Sequence, residues 1–139
     1  MIYFFYEDCS SLNKKLEKKL EKTSQLIEKE VFKLGDISFI FCSDDYLLSL
    51  NKEFLNHDYF TDIITFSYNE ENVVSGDLFI SIDRTKENAE KNKVSFSNEL
   101  ARLVIHGMLH LCGFNDKTQE EIKVIRGKEE EYLKMYGFT

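Results

Sequence analysis

His106 and His110 stand four residues apart, and Asp116 follows six residues after the second. Residues four apart on a helix are neighbours on one face, with Cβ atoms about 5–6 Å apart, so two imidazoles there can clamp one cation. Gly113 lies between His110 and Asp116. It is a natural helix terminator and lets the chain fold back toward the same point. The pattern His-x3-His-x5-Asp thus offers two neutral nitrogens, one carboxylate and an open fourth position, the arrangement of catalytic rather than structural zinc. The competing account is a pair of core histidines, each satisfied by a hydrogen bond. On a helix apolar on every side that account is harder to sustain, because each ring still needs a polar partner. In the zincin pattern HExxH the second residue is a Glu acting as general base. Here it is Gly107, so peptide hydrolysis by that route lacks its base. Glu99, seven residues before His106, is the nearest substitute on the same stripe; its alternative role is a first-turn acid favoured by the helix dipole.

Two neighbours compete for attention. His57 is a rival ligand, since imidazole competes well with carboxylate for zinc, but a loop histidine is more often just exposed. Cys112 comes two residues after His110, about 200° round the helix, and points away from the metal into the core.

The helix carrying the two histidines is predicted over Ser97 to Cys112. Its Leu100, Ala101, Leu103, Val104, Ile105, Met108, Leu109 and Leu111 cover nearly the whole circumference, which makes it central and buried. Other elements are built around it. Ile2 to Tyr6 is a β-rich first strand. Ser11 to Phe32 carries Leu12, Leu16, Leu20, Ile27 and Val31 at helical spacing, one amphipathic helix closing near Gly35. Ile37 to Cys42 is a buried strand, and Ser43-Asp44-Asp45 caps a short helix running to about Phe54. A loop over 56–60 leads to a strand from Thr61 to Tyr68. After a turn at 69–72, Gly76 to Ile82 is a further strand. Asp83 to Lys93 is a polar surface helix. Thr118-Gln119-Glu120-Glu121 is a capping box opening the last helix, where Ile122, Ile125, Tyr132 and Tyr136 share a face. The expected fold class is α+β: a single domain over 1–139, with a small mixed sheet packed by helices.

Composition narrows the function classes. At 139 residues, 42% hydrophobic and 31% charged, the chain can bury roughly two thirds of its unfolded surface without a disulfide staple. No apolar run approaches the ~18–20 residues that span a bilayer, and the opening MIYFFYEDCS has no basic start, so neither a membrane anchor nor a secretory signal is expected. Cys9, Cys42 and Cys112 are odd in number and widely spaced, which fits free thiols in a reducing cytoplasm. A net charge of −7 counts against coating in nucleic acid by bulk electrostatics, yet leaves RNA open as a substrate through a local basic strip or a bound cation.

The stretch His106-Gly107-Met108-Leu109-His110-Leu111-Cys112-Gly113-Phe114 resembles the signature of the YbeY family. Leu50-Asn51 through Phe54, then Asp58 and Thr61-Asp62-Ile63-Ile64-Thr65-Phe66, is similar to that family's "LN…TDVLSF" segment. Gly76-Asp77-Leu78-Phe79-Ile80-Ser81 resembles its "GDI.IS" strand. The three motifs occur in order over residues 50–116. The resemblance implies a single-domain bacterial endoribonuclease, metal-dependent and active in rRNA maturation and ribosome quality control. It also implies a metal held by His106, His110 and Asp116, and a groove lined by Thr61, Asp62 and Thr65. RNA and ribosomal components are the implied partners, in the cytoplasm, with no DNA specificity and no membrane. Zinc, one ion per chain, is the implied cofactor, and other divalent transition metals share its ligand preference.

The chain departs from the family pattern in three places. Asp116 stands where the family has a third His, adding a negative charge that makes a bound cation less electrophilic. Leu55 stands where the family has an Arg, so a cation that would hold or polarise phosphate is missing. Phe60 replaces a Pro before Thr61, a backbone matter. Lys86, Lys91 and Lys93 are candidate backbone contacts, or simply a solvated helix face. Three functions are compatible with these residues: a metal-dependent ribonuclease, a ribosome-assembly binding factor whose metal is largely structural, and a small-substrate metallohydrolase sharing the site.

Overall fold

In a computed structural model, residues 1–138 are described. Strand β1 (Ile2–Glu7) is followed by α1 (Lys14–Lys22), a 3-10 turn (Thr23–Gln25) and the short α2 (Leu26–Lys29). Next come β2 (Lys33–Cys42), α3 (Asp44–Leu55), β3 (Ile63–Ser67) and β4 (Val73–Ser81). The chain closes with α4 (Ile82–Asn92), α5 (Phe96–Leu111) and α6 (Gln119–Met135). The four strands form one mixed sheet in the order β1-β2-β4-β3. β2 is parallel to both β1 and β4, while β3 runs antiparallel to β4 as one of the two edge strands. The α+β class and the small mixed sheet are as expected.

Side chains alternate across the strands, so each strand serves two faces. Ile37, Phe39 and Phe41 of β2 and Val74, Leu78 and Ile80 of β4 enter the main core. There they meet Leu100, Ala101, Leu103, Val104, Ile105, Met108 and Leu109 of α5, which are all but inaccessible to solvent. The opposite face carries a smaller cluster in which Cys42 and Ile64 pack against Leu47 of α3. The central helix is therefore α5, as its all-round apolar pattern requires.

The first predicted helix is corrected. Ser11–Phe32 is not one helix but α1, a 3-10 turn and α2. Thr23 and Ser24 are buried, and their hydroxyls donate to the carbonyls of Leu20 and Glu21 at 2.5 and 2.7 Å. Such local bonds offer the backbone an alternative to the α ladder, and the turn tightens there. The segment ends at Val31, at φ 70°, rather than near Gly35, which lies inside β2. Two smaller differences accompany this. β2 begins four residues before Ile37, and the expected strand from Thr61 starts at Ile63. On α6, Ile125 and Tyr132 are buried, and Tyr136 at its C-terminal cap is half-buried, but Ile122 is exposed and leaves the shared face.

The helix ends follow their capping chemistry. Ser95 caps α5 by accepting from the Asn98 N–H, and Thr118 and Glu121 close a reciprocal capping box on α6. Gly113, at φ 100°, terminates α5: its N–H bonds to the His110 carbonyl, and that of Phe114 bonds to Leu109. That reversal turns the chain back along α5 and carries Asp116 toward the histidines.

Candidate metal centre

His106 and His110 project from one face of α5 with ring centroids 4.5 Å apart and planes at 81°. Their Nε2 atoms are 3.0 Å apart, and the Asp116 Oδ2 lies 3.3 Å from that of His110 and 3.4 Å from that of His106. Three donor atoms thus form a nearly equilateral triangle. A tetrahedral zinc with ligands at ~2.0–2.1 Å has edges of about 3.3–3.4 Å, close to the observed spacing. The two rings are half-buried and Asp116 is exposed, so the triangle opens to solvent on one side. Two neutral nitrogens with one carboxylate and an open side is the donor set of a catalytic site.

Gly107 lies about 100° round α5 from His106 and about 60° from His110, on the side of the helix that meets the sheet. A Cβ there would lie 2.8 Å from Leu78 Cδ2 and 2.9 Å from Ile63 Cδ1. The helix rests directly on β3 and β4 at this point, so any side chain at the zincin position would press on Leu78 and Ile63 of the sheet.

Glu99 does not join the triangle. It is 1% exposed, and its two oxygens accept from Arg102 Nε and Nη2 at 3.0 and 2.7 Å. Both oxygens of this carboxylate are thus taken up by Arg102. His57 is likewise outside the cluster: it stacks on Tyr59, with centroids 5.1 Å apart, and its Nδ1 is 3.0 Å from the Tyr59 hydroxyl. Cys112 is buried, as expected from its helical phase, and burial pushes its thiol up to about 12.

Thr61 and Thr65 line a pocket of about 290 Å³ together with Asn51, His57 and Tyr59. Leu55 lies on its wall, so the residue replacing the family's Arg faces the same cavity as the two threonines. Asp62 is not on that wall; it accepts from Asn88 Nδ2 at 3.2 Å. Lys86, Lys91 and Lys93 are exposed at α4 and its C-terminal end, in keeping with a solvated surface.

Sequence reasoning missed Glu129. This α6 residue is 1% exposed, with Oε2 2.6 Å from His106 Nδ1 and Oε1 accepting from Arg102 Nη1 at 3.1 Å. Burial pushes its carboxyl up, but the His106 contact and the Arg102 charge outweigh burial and hold it below the usual range. The signal was present in the sequence: Ile125, Glu129, Tyr132 and Tyr136 recur at spacings of four, three and four, so a carboxylate stands on the buried stripe of an amphipathic helix.

Residues 5–137 match the family described as Endoribonuclease YbeY. The chain belongs to the YbeY endoribonuclease family. That places it among enzymes, as a nuclease of the hydrolase class. An Endoribonuclease YbeY of Christiangramia forsetii is 45% identical over 137 residues, covering 97% of this chain and 94% of that one. Another, of Cytophaga hutchinsonii, is 41% identical over 138 residues, covering 99% and 96%. The solution structure of TM1509 from Thermotoga maritima superposes with a TM-score of 0.67 at 30% identity, over 98% of this chain and 91% of that one. The three YbeY-like motifs fall on α3, its following loop and β3, on β4, and on α5 with the turn after it, and α5 packs against β3 and β4. Among the described residues no helix is long and apolar enough to cross a membrane.

Proposed function

We propose that this chain is a metal-dependent endoribonuclease that hydrolyses phosphodiesters of rRNA during maturation and quality control of ribosomes. The 139 residues act as one domain, in the cytoplasm, with ribosomal components as partners. The metal is zinc, one ion per chain, held by His106, His110 and Asp116. The observation that carries this reading is the triangle of donor atoms with edges of 3.0, 3.3 and 3.4 Å, open on one side, in a member of an endoribonuclease family.

When bound, the metal would activate water or polarise the scissile phosphate. The chain's own residues supply the rest. Gly113 reverses the chain so that Asp116 joins the two imidazoles. The pocket of Thr61 and Thr65 gives hydroxyl groups that can hold the substrate's backbone or a base edge. Glu99, committed to Arg102, is assigned support of the α5–α6 interface instead of the general-base role. Asp116 adds a negative charge to the donor set, and Leu55 puts no cation on the wall of the threonine pocket, so turnover is expected to be modest.

The test is cleavage of structured rRNA fragments by metal-loaded protein, beside a His110→Ala variant purified in parallel. Cleavage by the wild type alone supports the proposal. Tight rRNA binding without cleavage would instead mark an assembly factor with a structural metal, the function favoured by Leu55 and a net charge of −7.

A further inference from the structure

Arg102 lies between two carboxylates that are each 1% exposed, Glu99 from its own helix and Glu129 from α6. One guanidinium cannot neutralise both, so this buried group carries one uncompensated negative charge. Burying such a charge is costly unless something else answers it. Glu129 Oε2 touches His106 Nδ1 at 2.6 Å, and the other nitrogen of that ring is the one facing His110 and Asp116. In the neutral ring, a proton held on Nδ1 by Glu129 leaves Nε2 with its lone pair directed at the metal position.

We propose that Glu129 is the positioning residue of the metal centre: it holds the tautomer and orientation of His106, while Arg102 and Glu99 fix Glu129 in turn. This inference rests on the metal centre proposed above. The uncompensated charge of the group is then answered by the cation, through the imidazole. Carboxylate partners of this kind orient a ligating histidine and make it more basic, and their loss usually costs ten- to hundredfold in metal affinity. Because Glu129 lies 23 residues beyond His106 on a separate helix, the packing of α6 against α5 becomes part of the site.

A purely structural role for Glu129 predicts a different response. In that case Glu129→Gln would lower the melting temperature of metal-free protein and leave metal affinity alone. As the positioning residue, Glu129→Gln should raise the zinc dissociation constant ten- to hundredfold, measured by competition with a chromogenic chelator at pH 8. The melting temperature of the metal-free variant should hold or rise, because the Glu99–Arg102 pair left behind is neutral. A second measurement needs no variant. In zinc-loaded wild type labelled with 15N-histidine, His106 should show a protected Nδ1 proton far downfield. Unchanged zinc affinity in Glu129→Gln, an affinity loss matched by an equal loss of metal-free stability, or His106 bonded to zinc through Nδ1 would each overturn the proposal. Wild type that binds no zinc would remove the centre itself, and this role with it.

Discussion

Gly107→Ala and Gly127→Ala place the same methyl group inside two helices and should shift stability in opposite directions. At Gly107 the new Cβ meets Leu78 Cδ2 at 2.8 Å, Ile63 Cδ1 at 2.9 Å and Leu78 Cδ1 at 3.0 Å. Carbon atoms in a well-packed core sit about 3.5–4.0 Å apart, so each contact is short by more than about half an ångström. Both neighbours are side-chain tips, but they are held between α5 and the sheet, and overpacking of this kind costs about 1–3 kcal/mol. Replacing glycine by alanine in a helix returns about 1 kcal/mol. The net is a loss of about 1 kcal/mol, or roughly 4 °C in Tm for a chain of this size. At Gly127, on the exposed side of α6, nothing lies within 4 Å of the new Cβ. Only the helix gain of about 1 kcal/mol remains, and Tm should rise by a similar amount. Thermal melts of both variants beside wild type, in chelator so that metal does not contribute, decide the matter. A Tm for Gly107→Ala that rises as far as that of Gly127→Ala would refute the close approach of α5 to β3 and β4, and with it the explanation for glycine at the zincin position.

Asp116→Asn should weaken zinc binding at least tenfold, while Asp116→His should preserve it, both read by chelator competition; a role confined to the entry of α6 would cost well under about 1 kcal/mol and leave affinity alone. Zinc at a hundred times its dissociation constant should add about 2.7 kcal/mol to unfolding stability, an increment absent from the His106→Ala, His110→Ala double variant in paired denaturation curves. The same increment should fade on acidification, because protons compete with the metal for the imidazoles and the carboxylate, so it is present at neutral pH and lost as pH falls. Burial pushes the thiols of Cys42 and Cys112 up to about 12, so alkylation of native protein at pH 8 should leave both untouched until the chain unfolds; half-buried Cys9, also raised, should react first. Leu55→Arg should tighten RNA binding and steepen its salt dependence by about one phosphate contact in filter-binding titrations.

Much of the candidate site is legible one-dimensionally. The i, i+4 histidines, the terminating Gly113 and the all-round apolar pattern of α5 are local features, and local geometry follows from the 3.6-residue repeat. Strand and helix types follow for the same reason, as do the caps at Ser43 and Thr118; the Ser95 cap of α5, two residues before the expected start at Ser97, comes from the structure. The broken first helix was hidden because hydrophobic spacing continues across Thr23 and Ser24; the interruption comes from hydroxyl–carbonyl bonds that periodicity does not register. Asp62 could be named as a groove residue from its motif, but the partner it takes, Asn88, is 26 residues away.

Composition and pattern alone therefore determine that this chain builds a helix presenting two imidazoles on one side, followed by a turn that can return a carboxylate. They do not determine what stands behind the imidazoles or which glycine is pressed against a neighbour. Helical phase already puts Glu129 on the buried stripe of α6 and Gly127, about 200° round, on its open side, but only the packing of α6 on α5 brings His106 and Arg102 to Glu129. Gly107 and Gly127 are equally helical and differ only in what lies across from them. The reason is physical: helical phase depends on near neighbours in the chain, whereas burial, steric contact and the answering of a charge depend on atoms brought close by packing, here from β3, β4 and α6 onto α5.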